Sequence, residues 1–411
     1  MAKISIIGTG WVDSDMKTQI AAIDFGTSKI VTVIAQAGSI DRLDIIGSGT
    51  VPYNGYSDGD WNTPSQMIQR VRDSIAAAEA NANSKIREIY VGVPGEYVHV
   101  RTCETEVDLP DGMVDQAAID AVQDLAAEEL RIADEGGMIM HRSPSWFTID
   151  GGRKTMTPEG RGSRLRAKVS FIVADPQFVE DVSEMLGKLD ITILGFLSTS
   201  LGESLLVLTL EDRDRVSMLI DVGYLNTEVS VVEGDGIIYH AMLPRGGGHM
   251  TADLAMELRI PMRAGEQIKR TYVFKPDEFD MNSYSEVYDD TGRRLTFPRE
   301  VVSKVVEASF EELAGMIDMT IQNDIDPMLN KRSQVFLTGG GIALMCGARE
   351  ALAARINKPV KISAAKSSKL NSPVFASSLG LADLVFDSIE SSGGEAQEGL
   401  GSRLKGLFGR A

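Results

Sequence analysis

Two short stretches place a carboxylate, tight-turn residues and hydroxyls between apolar strands. In residues 21–35, Asp24, Gly26, Thr27, Ser28 and Lys29 interrupt an otherwise apolar run. A hairpin turn of that composition offers backbone N–H groups, two hydroxyls and an ammonium to phosphate oxygens. The Asp24 carboxylate beside it suits a magnesium ion held through water. Residues 219–232 repeat the order: apolar strand, Asp221, Gly223, a turn through Tyr224 and Asn226, Thr227, then an alternating strand. Either stretch alone is ordinary hairpin chemistry. A repeat, one copy in each half of the chain, predicts two similar subdomains facing a shared cleft.

Glycine clusters add to the pattern. Gly246, Gly247 and Gly248 enter a helix whose first turn should have free N–H groups, a ready anion site. An apolar strand at 335–338 runs into Gly339, Gly340 and Gly341, where backbone without side chains lets a flat ring approach. Glu266 and Lys269 fall one helical turn apart, which in isolation reads as a surface ion pair of small consequence.

The elements that must position these residues follow from periodicity and turn signals. Strands are expected at 44–51, 89–95, 191–197 and 215–220. Helices are expected from Thr63-Pro64 to about Ala82, from Asp175-Pro176, at 202–210, 300–323, 343–354 and 376–386. The 300–323 helix should bury Val302, Val305, Phe310, Leu313 and Ile317. Residues 276–299 are polar and turn-rich, a loop or hairpin. After Val93-Pro94-Gly95 comes a separate unit of about eighty residues. It holds a strand at 97–107, an amphipathic helix, extended segments near 145–150 and 167–174, and a loop at 151–162.

Bulk composition narrows the function classes. The 411 residues allow two or more domains, and 43% hydrophobic with 24% charged residues is ordinary for a globular chain. A net charge of −18 argues against nucleic acid as a partner. Four histidines without ligand spacing and two distant cysteines suggest neither a structural metal nor a disulfide framework. Residues 6–11 lack the third glycine of a dinucleotide motif. With neither a secretory leader nor a run of roughly 18 apolar residues, the cytoplasm is the expected compartment.

The end of the chain differs. Residues 388–398 are rich in Gly, Ser and Glu, as in a flexible spacer. Beyond it, Leu400, Leu404, Leu407 and Phe408 share one helical face, with Arg403, Lys405 and Arg410 beside them. An amphipathic, basic helix on an acidic protein fits an anionic bilayer surface. Docking of that helix onto the protein body is the plainer alternative.

With these pieces in order, the chain resembles the actin-like ATPases, a superfamily that includes heat-shock chaperones and sugar kinases. Within it the sequence is similar to the FtsA family of bacterial cell-division proteins. The likeness rests on the insertion after Val93-Pro94-Gly95 and on Ser143-Pro144-Ser145-Trp146-Phe147-Thr148-Ile149-Asp150-Gly151, similar to the family's Pro-x-x-Tyr-x-x-Asp-Gly. The spacer and amphipathic tail fit as well. The resemblance implies an α/β, actin-like two-lobed ATPase fold with ribonuclease H-like subdomains and an inserted 1C subdomain. Its parts would be an N-terminal extension (1–17) and 1A (18–94 with 176–197 and 372–388). The inserted 1C would be 95–175, 2A 198–245 and 310–371, 2B 246–309, and the linker and tail 389–411.

The resemblance also implies ATP and Mg2+ as cofactors. Gly26, Thr27, Ser28 and Lys29 would form the first phosphate loop, with Gly223, Tyr224, Asn226 and Thr227 in the second. Asp24 and Asp221 would organise magnesium, and Glu203 would position water. Gly246 and Gly247 would lie on the adenosine side of the cleft, Glu266 and Lys269 at the ribose or base, and Gly339, Gly340 and Gly341 in the adenosine pocket. Implied partners are the C-terminal peptide of FtsZ, further copies of the chain in a filament, other divisome proteins at the 1C unit, and the anionic inner face of the cell membrane. The second loop departs from the family's Asp-Ile-Gly-Gly-Gly-Thr-Thr, since Tyr224, Leu225 and Asn226 replace small residues. Binding of nucleotide is therefore expected more than brisk hydrolysis. A PilM-type pilus assembly protein and a small-molecule kinase are the competing readings on the same fold.

Overall fold

The computed structural model describes residues 19–38, 43–53, 56–57, 60–61, 64–132, 137–274, 283–289, 291–364 and 370–391. The chain opens with strands β1 (Gln19–Phe25), β2 (Lys29–Ala37) and β3 (Leu43–Pro52), then the short pair β4 (Tyr56–Ser57) and β5 (Asp60–Trp61). Helix α1 (Pro64–Ala82) and strand β6 (Glu88–Val93) follow. An inserted unit comprises β7 (Val98–Asp108), α2 (Gln116–Glu129), β8 (Met138–Ile149) and β9 (Arg164–Ala174). The chain then returns through α3 (Pro176–Gly187), β10 (Thr192–Ser198), α4 (Thr199–Val207) and α5 (Leu210–Asp214).

The second half begins with β11 (Ser217–Val222), β12 (Thr227–Glu233) and β13 (Gly236–Leu243). Helices α6 (Gly247–Leu258) and α7 (Met262–Thr271), the hairpin β14 (Tyr284–Tyr288) and β15 (Arg294–Pro298), and the long α8 (Arg299–Thr320) come next. Strand β16 (Val335–Thr338), α9 (Ala348–Arg355), β17 (Val360–Ile362) and α10 (Ala376–Ser391) complete the described fold.

The expected repeat is present as two five-stranded sheets of one topology. Their orders are β10-β6-β1-β2-β3 and β13-β12-β11-β16-β17. In each, three antiparallel strands are followed by two that run parallel to the first. Strands β1 and β11 are central, and buried side chains on both faces explain their nearly unbroken apolar sequences.

The inserted unit forms a three-stranded antiparallel sheet, β7-β9-β8, with its own core of Val122, Ala126, Phe147, Leu165 and Phe171 under α2. It also packs against the β12–β13 turn of the second lobe. There the Ser170 hydroxyl donates to the Ile237 carbonyl at 2.6 Å, and Glu233 receives Lys154 at 2.8 Å and Lys168 at 2.9 Å.

Three expected helices shift. The 343–354 helix begins only at Ala348, because residues 342–347 form turns and Gly347, at φ +82°, caps the helix. The 202–210 helix begins at Thr199, where the Ser198 hydroxyl accepts the Leu201 N–H, and Leu210 opens the separate α5 behind a Thr209–Asp212 capping box. The 300–323 helix ends at Thr320 and passes into a π-helical turn. Val305 in it is only half-buried, whereas Val306 is fully buried.

Candidate functional site

The two repeated turns have the same construction. In each, a glycine N–H donates to the carbonyl three residues on: Gly26 to Lys29 and Gly223 to Asn226, both at 2.9 Å. The turns meet tip to tip, because the Leu225 N–H donates to the Thr27 hydroxyl oxygen at 3.1 Å. The Asn226 amide reaches the other way, donating to Glu96 at the root of the inserted unit at 3.1 Å. The backbone N–H groups of Thr27 and Ser28 take no partner among the described residues.

Behind the turns lies a buried group of carboxylates. Asp24 accepts the Ser377 hydroxyl at 3.0 Å and the Ser378 hydroxyl at 2.6 Å, both on Oδ2. Burial raises its pKa, opposed by the two serines and by Lys29. Asp221 is pushed up to about 7, first by burial and then by the Glu228 and Asp24 charges. Glu203, 2% exposed, lies well above the usual carboxylate range, again first by burial and then by Asp221. Two buried carboxyls that close disfavour being ionised together, which is how Asp221 raises Glu203. Asp221 Oδ1 and Glu203 Oε1 remain buried acceptors with no partner among the described residues. Burial would raise Glu228 too, but its partners hold it low, chiefly His240, whose Nε2 lies 3.2 Å away.

Lys29 points at this group from the first turn. Its ammonium donates to the Val374 carbonyl at 2.8 Å and sits 4.4 Å from the centre of the Phe375 ring. Burial lowers its pKa, while Asp24 and Asp221 oppose that shift.

The glycines pack the second turn from behind. Gly247 and Gly248 N–H groups donate to the carbonyls of Gly223 (2.9 Å) and Tyr224 (2.6 Å), and Gly341 donates to Val222 (2.7 Å). The α6 N-terminus is therefore not the free anion site expected from sequence, since the second turn's own carbonyls take its first N–H groups. Gly246 donates to His249 Nδ1, and a Cβ there would lie 2.6 Å from the Tyr224 carbonyl. Gly339 adopts φ +88°, and a Cβ on it would fall 1.9 Å from Asp221 Oδ1. At Gly340 the nearest neighbour a Cβ would meet is the Val374 side chain, at 3.4 Å.

The Glu266–Lys269 pair is corrected as well: it is not a surface pair. Lys269 is 2% exposed, bonded to Glu266 at 2.8 Å and to the Gly247 carbonyl at 3.1 Å. Glu266 also accepts the Thr251 hydroxyl at 2.6 Å. Gly265 makes this burial possible, because a Cβ there would lie 2.8 Å from the Thr251 carbonyl and hold α7 off α6.

The structure thus gathers Asp24, Thr27, Lys29, Glu203, Asp221, Gly223, Tyr224, Asn226 and the glycines at 246–247 and 339–341, with Glu266 and Lys269 at one side. Ser28 flanks the first turn, its carbonyl accepting the Tyr53 N–H. Thr227 turns away, its hydroxyl donating to the Arg245 carbonyl at 2.7 Å. Leu400, Arg403, Leu404, Lys405, Leu407 and Phe408 lie outside the described residues. Sequence reading missed Glu96, Glu228, His240, Ser377 and Ser378. Only the paired serines at a helix start hinted at a role.

Comparison with known proteins points to one family of sequences and one fold. The family described as "Cell division protein FtsA" matches residues 218–380. A relative of that name from Neisseria meningitidis is 26% identical over 372 residues, covering 88% of this chain and 89% of its own. The Pseudomonas aeruginosa protein of that name is 25% identical, with 88% of each chain covered. Among solved structures, the PilM–PilN type IV pilus biogenesis complex aligns with a TM-score of 0.60 at 17% identity, over 90% of this chain and 98% of that one. MreB 5 of Spiroplasma citri bound to AMPPNP aligns at 0.50 and 11% identity, over 91% and 98%. Likeness at such identities shows the fold. By sequence the chain is similar to the FtsA cell-division proteins, and its fold is that of the actin-like ATPases.

Proposed function

We propose that this protein is a nucleotide-binding, actin-like cell-division protein whose two turns grip the phosphates of ATP. The observation that carries the reading is the meeting of the two turns over Asp24 and Asp221. The unpartnered N–H groups of Thr27 and Ser28 and the Lys29 ammonium supply the donors that a phosphate needs. Glu266, Lys269 and the glycines at 246–247 and 339–341 would flank the nucleoside. One solved neighbour was bound to AMPPNP.

Magnesium fits the same residues. Asp221 Oδ1 is a buried acceptor awaiting a partner, and no three His, Cys, Asp or Glu side chains among the described residues are grouped to grip a metal directly. Asp24 and Asp221 would therefore hold the ion through water, and its charge would neutralise the phosphates. Tyr224 crowds the second turn, where a Cβ on Gly248 would lie 2.8 Å from its ring. Hydrolysis is accordingly slow.

On the cellular level, the protein assembles with copies of itself and tethers FtsZ filaments, bound by their C-terminal peptide, to the inner face of the cytoplasmic membrane. The inserted unit recruits other divisome proteins. The basic apolar residues at 400–408 bind the anionic lipid, each copy weakly and the filament by avidity. Relatives covering most of this chain are named as cell-division proteins, which favours this role over pilus assembly. Co-sedimentation with anionic vesicles and ATP, comparing the full chain with one ending at Ser388, tests the tether. Pelleting of the full chain alone supports it, and equal behaviour of the two chains refutes it.

A further inference from the structure

The turn at 373–378, which starts α10, touches the candidate cleft at several points. Two serine hydroxyls reach one oxygen of Asp24, a carbonyl and an aromatic ring hold Lys29, and Val374 lies against Gly340. Ser378 is 2% exposed, so its hydroxyl has a buried carboxylate as its partner. Farther along, α10 crosses α4 glycine on glycine: a Cβ on Gly202 would lie 2.5 Å from the Gly380 carbonyl, and one on Gly380 would lie 2.4 Å from the Glu203 nitrogen. The 373–375 turn and the helix that follows it therefore brace Asp24, Lys29 and Glu203 together.

We infer that Ser377 and Ser378 are positioning residues that orient Asp24 toward a magnesium-bound water, making the start of α10 a third wall of the cleft. This rests on the nucleotide reading above. Both hydroxyls bond Oδ2, which fixes the plane of the carboxylate and leaves Oδ1 clear of these bonds. A carboxylate with its orientation fixed in advance binds the ion's water shell without first losing rotational freedom. Both serines act through Asp24, so their contribution belongs to the magnesium-dependent part of binding.

The test is calorimetric titration of the full chain with ATP, once with Mg2+ and once with EDTA. The double variant Ser377→Ala/Ser378→Ala should keep its EDTA affinity within about twofold and lose about tenfold of the enhancement given by Mg2+, the effect expected for hydrogen bonds to a charged group. Ser377→Thr should restore its share. If the double variant does not fold, the half-buried Ser377→Ala alone should lose about threefold of the enhancement. An enhancement equal to that of the unaltered chain, or an equal loss with and without Mg2+, overturns the inference while leaving the nucleotide reading intact. If the unaltered chain binds no ATP, both fall.

Discussion

The Leu225 N–H donates to the Thr27 hydroxyl oxygen across the two halves of the chain, at 3.1 Å. This bond makes the two turns one clamp. Replacing Thr27 by Val removes the acceptor and keeps the shape. It should lower stability by about 1 kcal/mol and weaken ATP binding by about tenfold, while Thr27→Ser keeps both. Chemical unfolding and calorimetry read the two effects. A valine variant that binds ATP like the parent would show that the clamp does not need the bond.

Glu203 is buried beside Asp221, so it should matter more to turnover than to affinity. Glu203→Gln is expected to bind ATP within about twofold of the parent and to lose about a hundredfold of the slow phosphate release, in the range of a lost acid–base group. Unchanged release would remove Glu203 from the chemistry.

The α4–α10 crossing tolerates no side chain. Gly202→Ala places a methyl 2.5 Å from the Gly380 carbonyl, and should cost about 1–3 kcal/mol through overpacking. Gly340, whose nearest neighbour is the Val374 side chain at 3.4 Å, should accept alanine at about 1 kcal/mol or less. Equal melting temperatures for the two variants would contradict the packing.

His141 gives a pH signature away from the cleft. Its Nε2 accepts the Ser198 N–H at 2.9 Å, joining the inserted unit to the start of α4, and burial lowers its pKa to about 4. In the unfolded chain it returns to about 6.5. The neutral ring's contribution is present above that value and is lost as pH falls toward 4, up to about 3 kcal/mol. His141→Gln keeps an acceptor and does not titrate. Its stability should fall less than the parent's between pH 6.5 and 4, and parallel curves would refute the assignment.

Features encoded locally were legible in the sequence. The turns at Gly26 and Gly223, the apolar strands around them and the break after Gly95 each show within a dozen residues, and so the repeat showed too. Features made by long-range approach were not. Ser377 and Ser378 meet Asp24 only because α10 returns across the first sheet. Lys269 looks like any surface lysine at helical spacing until the Gly247 carbonyl closes over it. The α6 N-terminus looked free because nothing local shows that the second turn's carbonyls will cover it.

Amide hydrogen exchange of the full chain during titration with ATP and Mg2+, followed in peptides covering 24–30 and 221–228, tests the two-turn clamp most directly. Protection should rise in both peptides together and saturate at one ATP per chain. Saturable binding with protection in only one turn, or in neither, would contradict a clamp built from both.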